Sequence, residues 1–288
     1  MNQPTYVRPA SLAGVLAALQ EWGERARLLA GGTDLLVRMR QGVVRPEALI
    51  DLSALDELRK ISIAGERVLL GALVTHAQVL DSAELSRHAP LLVQACGEIG
   101  SVQIRARGTI GGNVINASPA GDALLALVAL QADFLLLCAA GERWVASAQF
   151  FVGPGQTARR PDELLAGIRF AAVRPDERSF YQKIGPRRAV RVAKAAVAGL
   201  ICLEQGRVQQ SRIALGAVAP TAVRASRAEE FLSGKALTPE NIEEAGRLAG
   251  CDCVPISDLR STAAYRTRVI EVLTRRGLSA VAGQEQGG

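Results

Sequence analysis

A short apolar run, Ala26 to Ala30, opens directly into Gly31-Gly32-Thr33-Asp34 and then into Leu35, Leu36 and Met39 at helical spacing. Two adjacent glycines at the end of a buried strand permit positive φ and close main-chain approach. Successive N–H groups at the start of a helix make a concavity suited to an anion. The stretch Leu29 to Leu35 therefore reads as a phosphate cradle, with Thr33 able to donate a hydroxyl hydrogen bond. A tight turn capped by Thr33 or Asp34 has the same spelling.

The same chemistry recurs at Thr109-Ile110-Gly111-Gly112-Asn113, inside a stretch from Gln103 to Asp122 that reads as too irregular for helix or strand. Asn113 and Asn116 add amide donors and acceptors. Asp122 opens the next helix, either as its N-cap or as an acceptor for ribose or ribityl hydroxyls. Two such loops suit a ligand with two phosphates, although the G-x-G-x-x-G dinucleotide fingerprint is absent.

Composition narrows the classes. The chain has 288 residues, 49% hydrophobic and 22% charged, the profile of a soluble globular protein with room for two domains. With only His76 and His88, no His-rich metal site is available. The 5 Cys form no iron–sulfur or zinc pattern: Cys251 and Cys253 are a lone C-x-C, and Cys96, Cys138 and Cys202 lie in apolar runs that suit reduced, buried thiols. An odd count without a signal peptide points to the cytoplasm. The longest apolar run, Ala123 to Ala140, is broken by Gln131 and Asp133, so it reads as a buried helix feeding a buried strand and not as a membrane span.

The net charge is +6, but it is local. Residues 1–172 hold 16 basic and 16 acidic side chains, whereas Arg174 to Lys194 hold 7 and 2. A compact basic window and 4% aromatics argue against nucleic acid.

Helical spacing after a Ser11 cap, strands at 26–30 and 48–52, and the glycine turn make a first α/β unit. Strands follow at 61–63 and 68–70, a helix at 90–97, a helix at 122–132, and strands at 134–138, 144–145 and 164–170. Helices and strands do not alternate strictly, so α+β is expected over doubly wound. Val173 to Ser179 reads as a linker. Beyond it, strands at 180–184, 197–203 and 212–218 precede helices at 222–232, 239–249 and 262–275, with Thr238-Pro239 as a cap and N1 pair. This predicts a small α+β domain, an antiparallel sheet with helices on one face. The expected division is 1–172 (subdomains about 1–56 and 57–172), 173–282, and a flexible tail at 283–288.

The segments AGGTDLL at 30–36, RARGTIGGNVINASPAGD at 105–122, FFVGPGQTARRPDELL at 150–165 and FYQKIGPRRA at 180–189 together resemble the FAD-binding medium subunit of the molybdenum hydroxylases, of xanthine dehydrogenase and carbon monoxide dehydrogenase type. The resemblance spans essentially the whole chain. It implies a vanillyl-alcohol-oxidase-type FAD-binding domain of two α/β subdomains, then the small C-terminal domain of these flavoproteins. It places Leu29, Ala30, Gly31, Gly32, Thr33, Asp34 and Leu35, and Thr109, Gly111, Gly112 and Asn113, around the FAD diphosphate. Asp122 matches an acidic position on the flavin's sugar-like part, and Lys183 a basic residue near the ring. Ile99 stands where some relatives have a Phe against the isoalloxazine.

The resemblance further implies partners: a large molybdopterin subunit that oxidises the substrate, and a small subunit with [2Fe–2S] clusters, as a heterotrimer or a dimer of heterotrimers. FAD here would take electrons from the clusters and pass them to NAD⁺ or another acceptor, with Lys183 stabilising the reduced, anionic flavin. Lys183 is otherwise a strand-end lysine. The basic window is a solvated loop, a docking surface for the iron–sulfur subunit, or a recruiter of an anionic acceptor. A stand-alone FAD-dependent oxidoreductase and a nucleotide-binding module without redox activity are the alternatives. No membrane or nucleic-acid partner is expected.

Overall fold

The structure, a computed structural model, describes residues 3–186 and 192–285. The first unit contains β1 (Thr5–Val7), α1 (Leu12–Trp22), β2 (Ala26–Leu29), α2 (Leu35–Arg40) and β3 (Ala48–Asp51), with the strands parallel in the order β1-β3-β2. Ser11 caps α1 by accepting from Gly14 N, and Gly23 ends it at φ +50°. Every residue of the central strand β3 is buried, as expected for a parallel strand covered on both faces.

The second unit contains β4 (Ile61–Ala64), β5 (Arg67–Gly71), α3 (His76–Asp81), α4 (Ala83–His88), α5 (Pro90–Gly97), α6 (Val102–Arg107), α7 (Ile110–Asn116), α8 (Asp122–Ala129), β6 (Asp133–Cys138), β7 (Gly141–Ala146), α9 (Ser147–Phe150), β8 (Phe151–Gly153), β9 (Gln156–Thr157) and β10 (Leu164–Ala171). Its main sheet is antiparallel, in the order β4-β5-β10-β6-β7. All of α8 is buried, and Gln131 at φ +52° turns the chain from it toward β6. The apolar run at 123–140 is thus a buried helix feeding a strand. The stretch at 103–122, expected to be irregular, instead holds α6 and α7. Their six and seven residues are too short to display a helical period, and each starts at a side-chain cap, Ser101 or Thr109. Gly121 caps α8, and Asp122 is its first residue, not its N-cap.

The third unit contains β11 (Glu177–Ile184), β12 (Ala195–Glu204), β13 (Arg207–Gly216), β14 (Val223–Arg224), α10 (Ser226–Leu232), α11 (Pro239–Cys251) and α12 (Ala263–Glu285). The strands form one antiparallel sheet in chain order. Glu177 to Ser179, read as linker, already belong to β11. The helix α12 continues to Glu285, past the expected start of the tail at Gly283, and 286–288 lie outside the described residues.

The domain's own helices cover one face of this sheet, as expected, and helices of the second unit cover the other. Val197 and Ile201 of β12 pack with Ile270 and Leu273 of α12, whereas Ala196, Ala198 and Leu200 join the core of the second unit with α5 and α8. Two-sided burial explains why β12 reads as an almost unbroken apolar run. Phe180 needs two glycines around it: a Cβ on Gly199 would lie 2.3 Å, and one on Gly277 2.2 Å, from its ring.

Candidate functional site

A cleft of about 740 Å³ runs between the first unit and the α6–α7 segment. It is lined by Ala30 to Leu35 on one side and by Ile99, Thr109, Gly112 and Asn113 on the other. The two glycine-rich loops, distant in sequence, meet at its floor. A Cβ on Gly31 would stand 2.0 Å from the Arg107 carbonyl oxygen, so only glycine allows the two main chains to touch. Gly32 serves differently: its φ of +74° lies in the left-handed region. Leu29 closes β2 and packs beneath Gly32 without lining the cleft.

The loops present unlike surfaces. The main-chain N–H groups of Gly31, Gly32, Thr33 and Asp34 find no acceptor among the described residues, which leaves an open run of donors. In the second loop the donors are committed. Ile110 N gives to Val74 O, Gly111 N to Ala72 O, Gly112 N to Thr109 Oγ1 and Asn113 N to Thr109 O. Gly111 faces inward, since a Cβ there would lie 2.6 Å from Ala72 O. Asn113 Oδ1 accepts from Leu124 N of α8 at 3.0 Å, which leaves its amide NH₂ for the cleft.

Asp122 and Lys183 do not line the cleft. Lys183 Nζ donates to Asp122 Oδ2 at 2.7 Å and to Glu98 O at 3.0 Å, and Tyr181 OH donates to Asp122 Oδ1 at 2.6 Å. The Lys183 side chain is 1% exposed. Burial pushes the Asp122 carboxyl up, against the pull of Lys183, and burial beside Asp122 pushes the Tyr181 phenol well up. This triad joins the second and third units directly behind Ile99. Arg105 holds the same turn from the other side, donating to Ile99 O at 2.9 Å.

Sequence reading missed several cleft residues. Arg27, Arg159 and Gln156 line it, and the last two lie in the quoted segment 150–165, whose motif carried no residue assignments. His76 also lines it, 3% exposed, with Nδ1 3.6 Å from Cys96 Sγ and its main-chain N–H on Gly108 O. Burial, with the nearby Arg105 charge, lowers its pKa to about 4.

The basic window is largely tied into the fold. Arg174 sits on Asp176 and reaches Cys202 Sγ, Arg178 donates to Pro175 O, and Lys194 lies over the Tyr265 ring. Arg187, Arg188 and Arg191 lie outside the described residues. No helix among the described residues is long and apolar enough to cross a membrane.

Residues 2–171 match the family described as the FAD binding domain in molybdopterin dehydrogenase, and residues 180–281 match the CO dehydrogenase flavoprotein C-terminal domain. The chain is 34% identical to the carbon monoxide dehydrogenase medium chain of Hydrogenophaga pseudoflava, covering 96% of each. It is 33% identical to the glyceraldehyde dehydrogenase medium chain of Sulfolobus acidocaldarius, over 96% of this chain and 98% of that one. A solved structure of the Hydrogenophaga pseudoflava carbon monoxide dehydrogenase, in a form lacking the Mo-pyranopterin moiety, superposes with a TM-score of 0.94 at 35% identity over 97% of each chain. The two glycine-rich loops that meet at Gly31 thus belong to an FAD-binding medium subunit of the molybdenum hydroxylase family, an oxidoreductase component.

Proposed function

We propose that the cleft holds FAD between the two glycine-rich loops. In this reading the chain takes electrons from the [2Fe–2S] clusters of a small partner subunit. It hands them to NAD⁺ or another acceptor, within a cytoplasmic complex whose large subunit carries molybdopterin. The observation that carries the reading is the loop junction: Gly31 lies against the Arg107 carbonyl, and the four consecutive N–H groups of Gly31 to Asp34, on residues that line the cleft, have no acceptor among the described residues. Its volume falls inside the range of ligand pockets, roughly 300–1,000 Å³.

FAD, when bound, supplies both one-electron and two-electron chemistry. This chain supplies position and electrostatics. The amides of Gly31 to Asp34 would hold the FAD diphosphate, and Thr109, Gly112 and Asn113 shape the opposite wall. Ile99 offers an aliphatic face to the ring, held from behind by Arg105 and Lys183. Asp122 and Lys183 act through that turn and through each other. The ammonium of Lys183 sits behind that turn in an ion pair with Asp122, with two of its donors given to Asp122 Oδ2 and Glu98 O.

The test is the visible spectrum of the purified full chain, before and after addition of FAD. A flavin band with stoichiometric retention supports the reading. A chain that stays colourless after FAD is added overturns it. Co-purification with an iron–sulfur and a molybdopterin subunit tests the complex, and rapid mixing of the reduced complex with NAD⁺ tests the acceptor.

A further inference from the structure

Cys251 and Cys253 stand apart from the other three cysteines. Cys96 and Cys202 are buried and Cys138 is half-buried, whereas Cys251 is exposed as the last residue of α11. Cys253, two residues on, is half-buried and packs against the core of the third unit. Asp252, between them, continues the helical backbone at φ −90° and ψ 0°. Helix geometry therefore sets the two Cα atoms about 5.4 Å apart, inside the span of about 4.4–6.8 Å that a disulfide bridges. Both are free thiols here: Cys251 Sγ donates to Arg247 O at 3.5 Å and Cys253 Sγ to Ala249 O at 3.6 Å.

The residue between them holds another helix. α10 has no side-chain cap of its own. Asp252 Oδ2 supplies one, accepting from Arg227 N in the first turn at 3.1 Å, and Oδ1 pairs with Arg227 Nε at 3.3 Å. The chain is fixed on either side. α11 lies tight on α12, where a Cβ on Gly250 would stand 2.9 Å from Glu271 Cγ, and Val254 N donates to Val218 O at 2.8 Å. Side chains two apart on a helix do not face each other. The sulfurs can meet only if the turn at Asp252 unwinds, and that turn carries the α10 cap.

We propose that Cys251 and Cys253 are an oxidisable dithiol that a hydroperoxide closes to a disulfide, releasing Asp252 from α10. Cys251 is the sulfur open to solvent, whereas burial pushes the Cys253 thiol up to about 12, so Cys253 keeps its proton at first. The Cys251 thiolate attacks the O–O bond and takes one oxygen as a sulfenic acid, while the other leaves as an alcohol, or as water from hydrogen peroxide. The Cys253 sulfur then attacks the Cys251 sulfur. The S–S bond forms, the S–O bond breaks, and the hydroxyl leaves as water with the Cys253 proton. Two thiols thus give two electrons to the O–O bond. A ring this small is strained, so a reducing thiol reopens it. Nothing in this chemistry depends on what the cleft holds.

The full chain, first reduced, is treated with hydrogen peroxide and read by intact mass and peptide mapping. The expected product has lost two hydrogens from the peptide containing 251–253, and dithiothreitol restores them. Under the same treatment Cys253→Ser should stop at a Cys251 sulfenic acid, trapped by dimedone, and Cys251→Ser should lose no hydrogens. Cys253→Ala, which adds no polar group to the core, serves where Cys253→Ser folds poorly. Hydrogen exchange at 226–232 should quicken about fivefold on oxidation, the loss of one helix cap. Reduced Asp252→Ala should show the same quickening, and its oxidation should add nothing further.

Oxidation of Cys251 alone, to a sulfinic acid or to a disulfide between two chains, overturns the proposal. A closed 251–253 disulfide with unchanged exchange in α10 also overturns it, because closure then leaves the Asp252 cap in place.

Discussion

The two glycine-rich loops share a spelling, two glycines beside a threonine, but not a physical role. In the first, the glycines make a surface: Gly31 allows main-chain contact, Gly32 turns left-handed, and the amides that follow stay open. In the second, the glycines make a joint: Gly111 packs on Ala72, Gly112 closes the Thr109 cap, and the amides are spent inside the protein. A glycine motif therefore marks close main-chain approach, and what approaches has to be read from the hydrogen-bond ledger. The first loop leaves its donors open, as a ligand site requires. The second is built to meet the first loop and α8.

The largest expected effect tests what the second loop rests on. Asn113 hangs on α8, and α8 begins at Asp122, whose carboxylate depends on Lys183. Lys183→Met leaves that carboxylate buried without its cation and should destabilise the chain by about 3–5 kcal/mol. Hydrogen exchange should quicken at 109–116 while 26–36 stay protected. Equal loosening of both loops would break the distinction between them. Pairing Lys183→Met with Asp122→Asn should restore much of the stability, because no buried charge remains.

Next in size is an acid sensitivity centred on His76, whose main-chain N–H holds Gly108 beside the loop junction. Its pKa falls from 6.5 to about 4 on folding. Between those values the unfolded chain binds more protons than the folded one, so stability rises with pH across that window. The contribution is intact above 6.5 and is lost as pH falls toward about 4, at up to about 1.4 kcal/mol per pH unit. Asp122 slopes the other way, since its carboxyl is raised on folding. The difference between wild type and His76→Gln isolates the histidine. Denaturant midpoints from pH 4 to 7 should show a steeper fall for wild type, and parallel curves would show that the His76 ring is not held neutral by burial.

How much of this was legible in the sequence depends on the length scale of the signal. The strand–turn–helix at 26–40, the helix at 90–97 and the antiparallel C-terminal strands carry full local patterns, and the structure has them. The helices α6 and α7 were missed because two turns of helix carry too little period and glycines blur the rest. The second covered face of the β12 sheet was missed because it depends on α5 and α8, which are remote in sequence. Among site residues, positions whose role is main-chain geometry, such as Gly31 and Gly32, could be read from residue type. Lys183 and Asp122 could not be told apart from cleft residues, because their burial is settled only when the second and third units pack. Arg27 and Arg159 had no motif of their own.

A third prediction sets the glycines against each other. Gly31→Ala drives a Cβ into the Arg107 carbonyl, and Gly111→Ala drives one into that of Ala72. Both should cost about 1–3 kcal/mol in melting experiments, since main chain must shift in each. Their effects on FAD should diverge. Gly31→Ala parts the loops and should lose FAD binding, whereas Gly111→Ala, where folded, should retain it within a few-fold. Similar FAD affinities in the two variants would show that the open amides are not the cradle.

The smallest expected effect repeats that test with the threonines. Thr109 Oγ1 accepts from Gly112 N at 3.0 Å, whereas Thr33 caps nothing: Asp34 stands at the start of α2 and makes no side-chain cap bond. Thr109→Ala should therefore cost about 0.5–2 kcal/mol of stability, with Thr109→Ser recovering it. Thr33→Ala should change stability by no more than about 0.5 kcal/mol, the scale of a surface substitution, and act on FAD affinity instead. If Thr33→Ala destabilises the chain and leaves FAD affinity untouched, its hydroxyl belongs to the fold, and the first loop is as much a joint as the second.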